Sequence, residues 1–219
     1  MRFTSLTIPT SNIDQAAAFY GETLGLETAR TADVLEAHIG RTTLVARPGT
    51  AVTGGMHVAI TIPRNQFVGA KAWLAARTTL SIVDGHDEFP LAEPPWRSRS
   101  IYFTGPDGIV LELITRDALA NDSAEPFSSA SLLGVSEIGM AVGDVRATVA
   151  ALHAEYGAEP FGPGSDEFAP VGDDDGLFIV VTEGREWFSA PGSHATGAPT
   201  DIRVEPGARR HRGVAVLLA

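Results

Sequence analysis

Three stretches of the chain begin alike, and this internal repeat constrains the fold more than any other feature of the sequence. Ser5-Leu6-Thr7-Ile8, His57-Val58-Ala59-Ile60-Thr61-Ile62 and Glu137-Ile138-Gly139-Met140-Ala141-Val142 each alternate large apolar residues with small or polar ones. That is the period-two pattern of a half-buried strand. A helix is expected after each. Asn12, with Gln15 three residues on, can cap the first, in which Ala16, Phe19, Tyr20 and Leu24 recur at helical spacing until Gly25. Asn65 and Asp144 hold comparable capping positions before 67–74 and 145–152. Further strands are expected at 34–38 and 42–46, at 98–104 and 109–115, and at 167–171 and 177–182. Tight turns fall at Gly105-Pro106-Asp107-Gly108 and Asp173-Asp174-Asp175-Gly176. The repeating unit is thus a strand, a helix, then two or three strands.

Between the second and third units, residues 118–131 are rich in Ala, Ser, Asp and Asn and read as a linker, whereas Gly54-Gly55 joins the first two units tightly. Residues 189–199 read as loop, with short strands expected at 201–204 and 214–218. The formal charge of −11 disfavours nucleic acid and anionic membrane surfaces as partners. Cysteine is absent, so any metal must be held by His, Asp, Glu or Ser. No secretion signal opens the chain and no apolar run approaches the ~18 residues of a membrane span, so a cytoplasmic protein is expected. Phosphate-binding loops, zinc-protease helices and serine-nucleophile elbows are also missing.

Phe19-Tyr20-Gly21-Glu22-Thr23-Leu24-Gly25-Leu26-Glu27 and Ile101-Tyr102-Phe103-Thr104-Gly105-Pro106-Asp107-Gly108-Ile109-Val110-Leu111-Glu112-Leu113 resemble the two signature stretches of the vicinal oxygen chelate superfamily. This superfamily includes glyoxalase I, bleomycin-resistance proteins and extradiol dioxygenases. The resemblance implies an α+β fold of repeated βαβββ modules, paired into half-open mixed-sheet cups. Here it implies three modules and a short C-terminal strand-bearing segment. The expected division is a two-module domain at 1–117 (modules 1–53 and 54–117), a linker at 118–132, and a third module with its partial extension at 133–219.

In metal-dependent members the ligands sit at the start of a module's first strand and in the middle of its last. Carried over, the first-strand positions are Ser5, His57 and Glu137; the last-strand positions, counted from the turn glycine, are Leu44, Glu112 and Val180. Only the second module keeps both ligand types. Strand periodicity agrees: His57 shares a face with Ala59 and Thr61, and Glu137 with Gly139 and Ala141, small side chains that leave room for a cavity. Glu112 stands among Val110, Leu111, Leu113 and Ile114, where a carboxylate needs a partner.

His57 and Glu112 could therefore hold a divalent Fe, Mn, Zn or Ni ion, with Glu112 in the catalytic role. The third ligand is Ser5 if modules one and two pair, and Glu137 if modules two and three pair. Equally, His57 could be hydrogen-bonded to Glu112 in a metal-free cup, and Glu137 could be a solvated carboxylate. Trp96, Tyr102, Phe103 and Trp187 could wall a pocket for a flat ligand, and Arg97 or Arg99 could meet an anionic group. Two functions follow: metal-dependent lyase or dioxygenase-type chemistry on a small molecule, or metal-free binding of an aromatic or cationic compound. An unpaired third module also implies a homodimer.

Overall fold

The protein is described by a computed structural model covering residues 1–50, 54–198, 200–205 and 215–217. Arg209-Arg210-His211-Arg212, a short basic cluster of the sequence, lies outside the described residues. The first module comprises β1 (Arg2–Thr10), α1 (Ile13–Ala17) continued by one π-helical turn (Ala18–Thr23), β2 (Glu27–Arg30), β3 (Leu35–Ile39) and β4 (Thr42–Pro48). The second comprises β5 (His57–Thr61), α2 (Phe67–Ala75), β6 (Phe89–Leu91), β7 (Ser98–Thr104) and β8 (Val110–Arg116). The third has β9 (Gly134–Val142), α3 (Val145–Tyr156), β10 (Phe168–Asp173) and β11 (Gly176–Thr182), and β12 (Asp201–Glu205) and β13 (Ala215–Leu217) follow. Among the described residues, no helix is long and apolar enough to cross a membrane.

Local chemistry accounts for most of these boundaries. The Asn12 side chain accepts the Gln15 N–H and that of Asp144 accepts the Ala147 N–H, so both cap as their sequence positions require. Asn65 does not cap α2. Its amide instead bonds the backbone of Ser123 in both directions and pins the 118–131 connection, assisted by the Arg64–Asp122 ion pair.

Two mixed sheets result, ordered β13-β12-β1-β4-β3-β2 and β10-β11-β9-β5-β8-β7-β6. Of the two module pairings left open by the sequence, the second sheet contains two with three: β5 runs parallel to β8 and antiparallel to β9. A boundary at residue 117 therefore cuts through a continuous seven-stranded sheet. The first module instead shares its sheet with the C-terminal strands, and β12 takes beside β1 the place that β9 takes beside β5. One hydrophobic core spans both sheets; Phe3 of β1 meets Phe178 of β11 edge to face at 5.2 Å between ring centroids.

Backbone contacts lock the sheets together at the β3–β4 turn. Arg41 N–H bonds the Leu133 carbonyl at 3.1 Å, and the Thr42 hydroxyl donates to the Phe3 carbonyl while accepting the Val135 N–H. Gly40 makes the approach feasible: its φ is +51°, and a Cβ there would lie 2.2 Å from the Leu133 carbonyl oxygen. Gly40→Ala is accordingly expected to cost about 2 kcal/mol or more, from left-handed strain and the forced separation of the turn from β9. Urea unfolding of the variant against the parent measures it.

Candidate metal centre

The sheet register brings the candidate ligands together. Ala59 on β5 stands opposite Glu112 on β8 and opposite Glu137 on β9, and Tyr102 on β7 is the next cross-strand partner of Glu112. One row across four strands thus reads Tyr102, Glu112, Ala59, Glu137. The alanine methyl leaves space between the carboxylates. His57, two residues before Ala59 on the same face, places Nε2 3.0 Å from Glu112 Oε2. Donor atoms of His57, Glu112 and Glu137 lie within 4.8 Å of one another, and all three residues are buried.

A fourth ionisable residue completes the cluster. Arg116, four residues beyond Glu112 on β8 and so on the same face, is fully buried and pairs with the Glu137 carboxylate. Its guanidinium lies near the Trp96 and Phe161 rings, 5.7 and 5.3 Å from their centroids. The sequence reading missed Arg116. The signal was present, since a second charged residue at even spacing from Glu112 in an apolar strand must face the same way.

Burial shapes the protonation of the cluster. Glu137 is pushed up to about 7 by burial and by the Glu112 carboxylate, with Arg116 and His57 opposing. For His57, burial disfavours the charged form, but the hydrogen bond and charge of Glu112 outweigh it and its pKa is raised. The Tyr102 phenol is driven well above its usual value by burial and then by Glu112 and Glu137, so it stays protonated at neutral pH.

Above this floor lies a cavity of about 680 Å³, within the usual size of small-molecule sites. Trp96, Tyr102 and Trp187 line it, together with Phe89, Phe168 and Phe188. Trp187 reaches the site because residue 139 is glycine: a Cβ there would lie 2.8 Å from the indole and 3.1 Å from His57 Cβ.

Other expected residues do not reach it. Ser5 is on β1 in the other sheet, paired with Thr43 and Arg203. Phe103 faces away from its neighbour Tyr102, as alternation demands, and stacks on Phe19 in the core. Arg99 is on that same reverse face, over the Phe67 ring and bonded to Glu88. Leu44 and Val180 are also core residues. Register places Val45 opposite Thr7 and Ile179 opposite Gly139, as Glu112 stands opposite Ala59. Counting from the turn glycine fails by one residue in opposite directions, since the counterparts of Glu112, four residues after Gly108, lie five after Gly40 and three after Gly176, and one residue of slip exchanges the faces.

The three donors suit a divalent cation: two carboxylates and an imidazole, all buried, with the other ring nitrogen of His57 lacking any protein partner. The matching positions of the first sheet are Ser5, Val45 and Asp201, which offer no comparable set.

Paired βαβββ-type modules with a His/Glu/Glu cluster on a cup floor have the architecture of the vicinal oxygen chelate type. The glyoxalase/bleomycin resistance protein/dioxygenase superfamily profile matches residues 2–179, and the chain belongs to that superfamily. No curated protein matches it. Among solved structures, it resembles a "putative dioxygenase" from Bacillus subtilis subsp. subtilis str. 168, with 15% identity and TM-score 0.62, covering 92% of this chain and 69% of that one. It also resembles glyoxalase I from Zea mays, with 18% identity and TM-score 0.54, covering 83% and 69%. At such identity the likeness concerns the fold.

Removing Arg116 would leave Glu137 buried without its counter-charge. Arg116→Met is expected to cost roughly 3 kcal/mol at pH 8 and less at pH 5, where Glu137 is protonated. The parent carries the same sign: between 4.5 and about 7 the folded state holds the Glu137 proton more tightly than the unfolded state, so this group lowers stability as pH rises through that window. Urea unfolding at both pH values tests both statements.

Proposed function

We propose that the cup binds a small molecule presenting two neighbouring oxygens, and that His57, Glu112 and Glu137 hold a divalent metal beneath it. The convergence of these three donors on the floor of an aromatic-walled cavity carries the reading. Two carboxylates to one imidazole favour Mn²⁺ or Fe²⁺ over softer ions. Such an ion, held by His57, Glu112 and Glu137, would supply Lewis-acid polarisation of adjacent substrate oxygens, as lyase or dioxygenase-type chemistry requires.

The chain's own groups have separable parts in this reading. Glu112 and His57 must exchange their mutual hydrogen bond for the cation, which requires the imidazole in its neutral form. Arg116 orients Glu137 from behind and retains one positive charge at the floor. This favours an oxyanion over a neutral ligand. Tyr102, protonated and beside Glu112, can donate a hydrogen bond to a substrate oxygen, while Trp187 and Phe89 supply apolar wall beside the floor.

A second reading, metal-free binding of a flat ligand, draws on the same cluster. Its four ionisable residues already pair as His57–Glu112 and Arg116–Glu137. Titration of the chelator-treated chain with Mn²⁺ separates the two. The metal reading expects one ion per chain, affinity rising between pH 5 and 8 as protons leave Glu137 and His57, and at least a hundredfold loss in His57→Ala and Glu112→Gln. Absence of binding at every pH leaves the metal-free reading.

A further inference from the structure

Arg185 stands on the turn after β11, fixed by backbone bonds from Arg185 N–H to the Thr182 carbonyl and from Ala195 N–H to the Arg185 carbonyl. Its half-buried side chain lines the cavity, with the guanidinium 5.2 Å from the Phe168 ring centroid. None of the arginine ion pairs among the described residues includes it. Other cationic side chains around the cup are already paired: Lys71 and Arg99 bind Glu88 of its wall, and Arg116 binds Glu137. Asp84 also lines the cavity but is exposed, so water screens its charge.

We infer that Arg185 anchors the carboxylate of a flat aromatic ligand lying in the cup. A guanidinium placed over an aromatic ring uses its face for that contact and leaves its N–H donors for the two oxygens of a carboxylate. Partial burial strengthens such a pair relative to a surface one. The flat shape follows from the walls: Phe89, Tyr102 and Phe188 pack edge to face in one cluster, and the Trp187 ring covers His57 at 5.4 Å between centroids. The ligand would thus be held at its anionic end by Arg185 and along its face by the aromatic walls. Arg185 is the residue that selects a carboxylate over a neutral group. The inference rests on the cup being a ligand site and is independent of any metal.

Calorimetric titration of the chelator-treated chain with 2-naphthoate and with its neutral isostere 2-naphthamide tests this, because no metal can then attract the carboxylate. The parent is expected to bind naphthoate at least tenfold more tightly than the amide. Arg185→Gln removes that preference by weakening naphthoate binding far more than amide binding, while Arg185→Lys keeps part of it. Equal affinities in the parent, an undiminished preference in Arg185→Gln, or no saturable binding of either probe would overturn the assignment. A preserved naphthoate preference beside failed Mn²⁺ binding rejects the metal reading alone. Unchanged circular dichroism and melting temperature verify that the variants fold.

Discussion

The antiparallel pairing of β5 with β9 is the contact on which the site depends. It joins two modules into one seven-stranded sheet and sets Glu137 opposite Ala59, whose other neighbour is Glu112. Three residues from three strands therefore share one row, with the smallest side chain in the middle. Because side chains alternate across a strand, a one-residue slip of β9 would send Glu137 into the hydrophobic core and Ile138 into the cup. The large apolar residues of β9 resist that slip, since Ile138 and Met140 are buried in the core behind the sheet.

Gathering four ionisable side chains under an aromatic roof is tolerable only because they are mutually compensating. His57 meets Glu112, and Arg116 meets Glu137, so each carboxylate has a donor and each potential cation an acceptor. The same pairing ties ligand binding to proton release, because an incoming cation must displace the proton of the His57–Glu112 hydrogen bond and share the Glu137 carboxylate with Arg116. The first sheet provides an internal comparison. It repeats the backbone arrangement of the second around β1, β4 and β12, yet presents Ser5, Val45 and Asp201 at the equivalent positions. The scaffold supplies the geometry of a cup, and only the side chains make it a site.

Much of this was legible in the chain. Alternation located the first strand of every module, the Asn12 and Asp144 caps fell where helices begin, and a carboxylate isolated in the apolar run of β8 announced that Glu112 needed a partner. Errors arose where a local rule met a competing contact. Asn65 had the right position to cap but found the Ser123 backbone instead. Phe103 and Arg99 belong to the right strand and the wrong face, which parity with Tyr102 would have revealed. Leu44 and Val180 are each one residue from the true counterparts of Glu112, Val45 and Ile179, because the turn glycine does not hold the same place in the three turns, and spacing alone does not expose this.

The sequence by itself determined what is periodic and local: the repeated module, the faces of its strands, and the placing of His57 and Ala59 on the side that lines the cup. The partner of the second module was decided by tertiary structure alone. Either neighbour offers β5 an edge with similar alternation, and the choice turns on how the first module's sheet is completed. There β12 supplies the antiparallel neighbour of β1, the Gly40 turn abuts Leu133, and Thr42 bonds to Val135. With β1 already paired on both edges, the free edge of β5 falls to β9. That distant pairing brings Glu137 and Arg116 to His57 and Glu112.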